Sequence, residues 1–309
     1  MMKYRHRLTA FIGLFVLLSG NPVAETQPPE CRDMRTVEVE YTGPDRFEEG
    51  ILWRVGAPGD ESGYIFGTIH VGDESIVDLP EPVEEALAGS RHFVMEAVPD
   101  AEQAMQLSSM MFFSDGRYLK ELVSEGMFDR VTTILQSYHL PQQAVLAMKP
   151  WAAFVTMSYP ADLRKILDLV LMETALDNGA RVHGLETLRE QGEIFNQMPL
   201  DDQLRLLADT VCHYDTVQKD FEIMKSLYLQ RDLKGLYIHG QSHAFDDNSA
   251  YESLTERILH KRNHTMVERM QEYLEQGAAF IAVGAMHLPG EDGILNLLEK
   301  QGYRITKIY

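Results

Sequence analysis

Cysteine is nearly absent from this chain of 309 residues: there are two, Cys31 and Cys212. Two thiols so far apart exclude a CxxC redox pair and a cysteine-rich zinc site, and they leave one cross-link open in an oxidising compartment. Basic residues are scarce too, with 28 Lys and Arg against 47 Asp and Glu and a net charge of -19. Nucleic acid and anionic membrane surfaces would repel such a chain, since both are bound through Lys and Arg, and nucleic acid is excluded as the main partner. Beyond the first two dozen residues no apolar run is long enough for a spanning helix. Nucleotide-binding glycine loops and a Gly-x-Ser-x-Gly nucleophile elbow are missing, so neither nucleotide chemistry nor serine hydrolysis has a motif here. No repeat of 20–50 residues and no low-complexity tract occurs.

What is present reads as a globular protein, 45% hydrophobic and 24% charged. Lys3, Arg5 and Arg7 precede an apolar run from Leu8 to Leu18, followed by small and turn residues to Ala24. That is the layout of a secretory signal, and the run is far shorter than the roughly 20 residues of a membrane span. The expectation is a signal peptide over residues 1–24, a mobile N-terminal segment over 25–49, and a single domain over 50–309. Pro22 fits the small-x-small cleavage rule poorly, which leaves a retained anchor as the alternative. Cleavage would remove three basic groups and no acidic one, taking the charge from -19 to -22. A periplasmic or secreted protein, without a stable membrane span after cleavage, follows. In that setting Cys31 and Cys212 could pair.

Short, strongly apolar segments at residues 64–70, 92–97 and 278–284 read as strands covered on both faces, because they are continuous rather than alternating. Residues 51–55 and 64–70 flank a turn-rich stretch and form a predicted hairpin. Residues 180–185 and 303–308 are further strand candidates. Helical periodicity fills residues 81–88, 101–111, 117–137, 162–178, a long stretch opening at Asp201-Asp202, 254–274 and 294–300. The fold class is therefore α/β: a central mixed sheet built from N- and C-terminal strands, with a large helical middle over about 100–275 packed around it. Such sheets place sites at the carboxyl ends of their strands.

His70 and His287 each end an apolar strand three residues after a glycine, in Gly67-Thr68-Ile69-His70 and Gly284-Ala285-Met286-His287. The four-letter pattern decides nothing by itself, since it also occurs at Gly89–His92 and Gly240–His243, where no apolar strand precedes it. Glu96 closes a third apolar strand, and a carboxylate there is costly unless paired or ligating. An ion pair with an arginine is one reading of Glu96, and a hydrogen-bonded core histidine is one reading of His70 and of His287. Taken together, the three residues make a two-histidine, one-carboxylate set of the kind that holds Zn, Mn, Co or Fe(II). His239 with His243, and His260 with His264, lack the His-Glu-x-x-His order and read as solvated surface residues. Met105, Met110 and Met111 read as an apolar face, not a copper site.

Residues 64–73 (YIFGTIHVGD) resemble the opening signature of the TraB/PrgY/GumN family, which is Tiki-like and belongs to an erythromycin-esterase-like superfamily. Residues 280–290 (FIAVGAMHLPG), with Gly293 and Gly302-Tyr303-Arg304-Ile305, resemble its closing signature. Leu167-Asp168 with Leu171 and Ala175, Gly184-Leu185-Glu186-Thr187 with Glu190-Gln191, and Arg262-Asn263 with Met266 match the stretches between. Met286 departs from the pattern, where a smaller residue is expected. By position, the resemblance implies His70 and His287 as the paired histidines, Glu96 as the acidic residue and Arg262 as the basic one. It also implies a fold shared with metal-dependent peptidases, and so an exported metal-dependent hydrolase using a divalent Zn, Mn or Co ion on a peptide or small-molecule substrate. On that reading Arg262 steadies the developing oxyanion, and Asp168 and Glu186 are candidates to orient a histidine. The rivals are a peptide- or signal-binding regulatory protein without turnover, and a metal-independent esterase.

Overall fold

Six strands make one sheet: β2 (Leu52–Ala57), β3 (Asp60–Thr68), β4 (His92–Ala97), β5 (Arg181–Glu186), β7 (Ala279–Gly284) and β8 (Arg304–Lys307). A separate pair, β1 (Arg35–Thr36) and β6 (His243–Ala244), lies apart from it. The computed structural model describes residues 31–57, 60–161 and 166–309, so the expected signal peptide over residues 1–24 lies outside the described residues. The sheet order is β5-β4-β7-β3-β2-β8. Strands β5, β4, β7 and β3 run parallel, and β2 alone runs against its neighbours β3 and β8. N- and C-terminal strands are thus interleaved in one mixed α/β sheet, as the apolar segments predict.

The central strands carry no alternation because both of their faces are covered. Phe93, Val94, Ile65, Phe66, Phe280, Ile281 and Val283 are all essentially inaccessible. The Lys261–Gln276 helix packs across β3, β4, β5 and β7, while the Leu167–Asp177 helix packs on β4, β5 and the Glu81–Ala88 helix. Parallel order puts the carboxyl ends of β3, β4, β5 and β7 at one edge. That edge receives His70, Glu96, Glu186 and the turn that follows Gly284.

The helical middle has a core of its own. Leu119, Phe128, Val131, Trp151, Phe154, Leu206, Val211, Tyr251 and Leu254 form a second buried cluster beside the sheet's. Met286 packs against both clusters, so the larger side chain that departs from the family pattern fills the seam between them. The predicted helix opening at Asp201 breaks at His213 into Leu200–Cys212 and Tyr214–Leu229. The predicted helix over 254–274 contains a π turn, Glu256–His260, between Ser249–Thr255 and Lys261–Gln276.

Residues 31–49, expected to be mobile, are tied down instead. Cys31 is bonded to Cys212 with 5.6 Å between their Cα atoms. Arg32 pairs with buried Asp209 and stacks over Phe245. β1 pairs antiparallel with β6, and Phe47 is buried against Trp53 in the sheet's core. The segment is a strap running from one core to the other.

Candidate functional site

The glycines of the two strand-end motifs are there for space. A side chain at Gly67 would meet Leu288 at 2.8 Å, and one at Gly284 would come within 3.2 Å of the Glu96 carboxylate. Bare backbone at Gly284 therefore lets Glu96 accept its N–H at 2.7 Å. This contact draws the end of β4 onto the turn after β7. His287 follows in a single 3-10 turn, Ala285–His287, and His70 lies two residues past the end of β3.

His287 is 5% exposed and its tautomer is set by a relay. The amide of Asn263 donates to the Asp292 carbonyl at 2.8 Å, which turns its oxygen to the imidazole Nδ1 at 2.6 Å. Nδ1 therefore carries the proton and Nε2 the lone pair. Burial pushes the His287 pKa down to about 3, helped by the charges of Arg262 and His70 against the pull of Glu96, so the ring is neutral. Its Nε2 lies 3.6 Å from Glu96 and 3.3 Å from the Arg262 guanidinium.

His70 is held from the opposite side. Its Nδ1 is 2.9 Å from Asp168, whose other oxygen accepts the buried Thr68 hydroxyl at 2.9 Å. Asp168 sits in the first turn of the Leu167–Asp177 helix, where the backbone amides favour a negative charge. Burial opposes a charge on His70, but the Asp168 carboxylate wins and raises its pKa to about 9. The ring keeps 39% of its side-chain surface open and lies within electrostatic reach of Glu96, Arg262 and His287. Asp168 thus does orient a histidine, as one reading of the sequence had it.

Arg262 is the hub. Its Nε lies 3.1 and 3.0 Å from the two Glu186 oxygens, and Nη2 reaches Glu186 at 2.7 Å and also Glu96. Nη1 donates to the Ile258 carbonyl of the π turn at 3.1 Å. The ion-pair reading of Glu96 is therefore realised, with Arg262 as its partner, and Glu186 meets the arginine instead of a histidine. Burial works against the Glu96 charge, yet the guanidinium beside it holds its carboxyl well below the usual range. Arg262, despite burial, is pushed up by Glu96 and Glu186. With each nitrogen already engaged, an oxyanion could be met only if Nη1 let go.

Two neighbours escaped sequence reasoning. Gln191 donates to Glu96 at 3.4 Å and Glu186 at 3.3 Å from a helix opened by a Thr187–Glu190 capping box. Tyr159 lies with its ring 6.3 Å from His70, and burial together with Glu96 raises its pKa to about 12, so it stays a neutral donor. Gln191 sits inside a matched stretch of sequence, whereas nothing marks Tyr159. Of the histidines set aside, His239 is half-buried against Asp220 at 3.0 Å and His260 faces Asp292 at 3.7 Å, so neither is a solvated surface residue.

The residues offer the donor chemistry of a divalent-cation site. Both histidines have Nδ1 fixed by an oxygen, which is how ligating imidazoles are oriented, and the Glu96 carboxylate lies between them in the electrostatics. Among the described residues no three His, Cys, Asp or Glu side chains stand at ligand spacing, so these donors would have to draw in around an ion.

The TraB/PrgY/gumN family model matches residues 51–307, which takes in every side chain of this cluster. A sponge protein named "Metalloprotease TIKI homolog" (Amphimedon queenslandica) is 22% identical over 84% of this chain, and the match takes in 62% of its own length. "Metalloprotease TIKI2" of Danio rerio is 22% identical over 82% of this chain and 60% of its own length. The Escherichia coli protein YbaP, called uncharacterized, is 24% identical over 78% of this chain and 89% of its own. The chain thus spans less than two thirds of the Tiki relatives. No solved structure gives a significant match. The chain belongs to the TraB/PrgY/gumN family.

Proposed function

We propose that this protein is an exported, metal-dependent hydrolase of the peptidase kind, with His70, His287 and Glu96 as the residues that hold the ion. The observation that carries the reading is the pair of imidazoles with Nδ1 held by Asp168 and Asn263 beside the ionised Glu96 carboxylate; an ion would take the place of the Arg262 guanidinium at the His287 Nε2 and of the proton on His70. The names of the Tiki relatives support the peptidase part. The disulfide is of the kind that persists in oxidising compartments, which supports export. Among the described residues no helix is long and apolar enough to cross a membrane.

A divalent cation, when bound, supplies an acidified water and polarises a carbonyl. The chain's own side chains do the rest. Asn263 keeps the His287 lone pair at Nε2, and Asp168 fixes the His70 ring through its Nδ1. Arg262, with Glu186 behind it, keeps Glu96 ionised and aimed. Tyr159, a neutral phenol whose ring lies 6.3 Å from that of His70, is the group we assign to donate to the carbonyl oxygen of a peptide or ester as charge develops there.

The test is metal content per chain in untagged mature protein, with a His70→Ala/His287→Ala control, followed by peptide turnover with and without chelator. Near-stoichiometric metal that disappears in the control, and turnover that needs it, is the expected result. Turnover that survives chelation would replace this reading with metal-free hydrolysis through His70 and Asp168. Binding of peptides without turnover would leave a regulatory binder.

A further inference from the structure

The Arg262 guanidinium and a divalent ion compete for the same atoms. With Nδ1 protonated, the His287 Nε2 has a single lone pair, and Arg262 Nη1 takes it at 3.3 Å. One imidazole nitrogen cannot accept that N–H and coordinate an ion at once. Glu96 is contested in the same way, since its Oε1 accepts the Gly284 N–H and its Oε2 is paired with Arg262 Nη2. Its Oε1 stands 3.6 Å from the His287 Nε2. Two donors on a tetrahedral ion, with bonds of about 2.1 Å, stand about 3.4 Å apart. The pair is thus spaced for an ion and engaged by an arginine.

The rest of the guanidinium is held from behind. Its Nε lies 3.1 and 3.0 Å from the two Glu186 oxygens, and Nη2 reaches Glu186 at 2.7 Å. Nη1 also donates to the Ile258 carbonyl at 3.1 Å, in a π turn of the kind that recurs at functional sites. Both contested nitrogens therefore have a second acceptor away from Glu96 and His287. A small rotation of the fork on Glu186 would free both donors and leave each nitrogen bonded.

We infer that Arg262 is a resident cation that a divalent ion must displace onto Glu186, so that it gates metal loading. The inference rests on the metal reading of this site. Glu96 and Glu186 are both buried, and two such carboxylates without a positive partner would oppose folding. The guanidinium is charged at any working pH and compensates them, so the chain folds first and takes up its ion afterwards. Arg262 aims Glu96 until the ion arrives and then yields it. Affinity is lower in consequence, because the incoming cation has to move a like charge aside.

A guanidinium that only oriented Glu96 would have the opposite signature. Losing an orienting partner weakens metal binding by about 10- to 100-fold, whereas losing a competitor tightens it. The sign of the change separates the two roles.

The experiment is cobalt(II) titration of the untagged, disulfide-bonded protein, read by the cobalt absorption and by competition with a chromophoric chelator. Arg262→Met should bind cobalt about tenfold more tightly than wild type, or better, because a like charge a few ångström away is gone. Glu186→Asp keeps the arginine and the net charge but draws the place of retreat back by one bond, about 1.5 Å. It should bind cobalt several-fold more weakly, and the same change should have little effect in Arg262→Met protein. Should Arg262→Met not fold, Glu186→Asp decides alone. Where wild type binds cobalt, equal or weaker binding by Arg262→Met, or binding unmoved by Glu186→Asp, overturns the gate and leaves the metal reading standing. Binding by Arg262→Met alone upholds the gate and takes the ion away from the wild-type protein. Failure of every variant to bind ends both.

Discussion

At the scale of residues, Arg262 decides whether the buried charges are tolerable. It joins Glu96 and Glu186, whose side chains are 10% and 5% exposed, and its own is 14% exposed. Removing one partner of a buried ionic set costs about 3 to 5 kcal/mol, because the others are left without compensation. Arg262→Met should lose stability on that scale, and Arg262→Lys should recover only part of it, since a point charge cannot span two carboxylates. Urea unfolding midpoints would decide, and a lysine variant as stable as the wild type would remove the fork from the account.

His70 makes a separate pH prediction at the same scale. Its pKa rises from 6.5 to about 9 on folding, so the folded state holds the proton more tightly. The stabilisation is fully present below pH 6.5 and is lost as pH climbs towards 9. In chelator-treated protein, stability should therefore fall across that window, and Asp168→Asn should flatten the slope. A slope that survives the substitution would sever the Asp168 link. His287 has the opposite sign, since a ring held neutral down to about pH 3 favours unfolding as pH drops below 6.5.

At the scale of elements, the two strand-end turns are legible in the sequence and their neighbours are not. Continuous apolar runs in β3, β4 and β7 read as strands covered on both faces, so His70, Glu96 and His287 could be placed at or just past strand ends from the pattern. The break at His213 and the π turn keep the apolar spacing of a helix, and nothing in that spacing announces either. Tyr159 is invisible because what brings it to His70 is tertiary packing. The strap was missed for a related reason: residues 31–44 carry no period, and their order comes from a disulfide and contacts more than 170 residues away. The glycines give a prediction here. Gly284→Ala should push Glu96 off the Gly284 amide and weaken metal binding, since the added carbon sits 3.2 Å from its carboxylate. Gly89→Ala, in a look-alike Gly-x-x-His where the nearest atom is 3.5 Å away, should stay within about 0.5 kcal/mol of wild type. Equal effects from both would mean that space at Gly284 is not what fixes Glu96.

At the scale of the whole molecule, two cores meet at Met286 and the strap spans both. Its disulfide end is anchored on the Leu200–Cys212 helix of the helical core, and Phe47 at its other end is buried with the sheet. A cross-link between residues 181 apart restricts the unfolded chain by about 5 kcal/mol in the chain-entropy account. Global stability should therefore fall in Cys31→Ser/Cys212→Ser protein, but the native state should loosen unevenly. Amide exchange should quicken in β1, β6 and the Leu200–Cys212 helix, whose contacts depend on where the strap lies. β3, β4 and β7 should keep their protection in the native state, because their amides are paired with one another inside a core the disulfide does not touch. If protection instead dropped by the same amount in all of these elements, the two cores would be one cooperative unit and the strap only a tether.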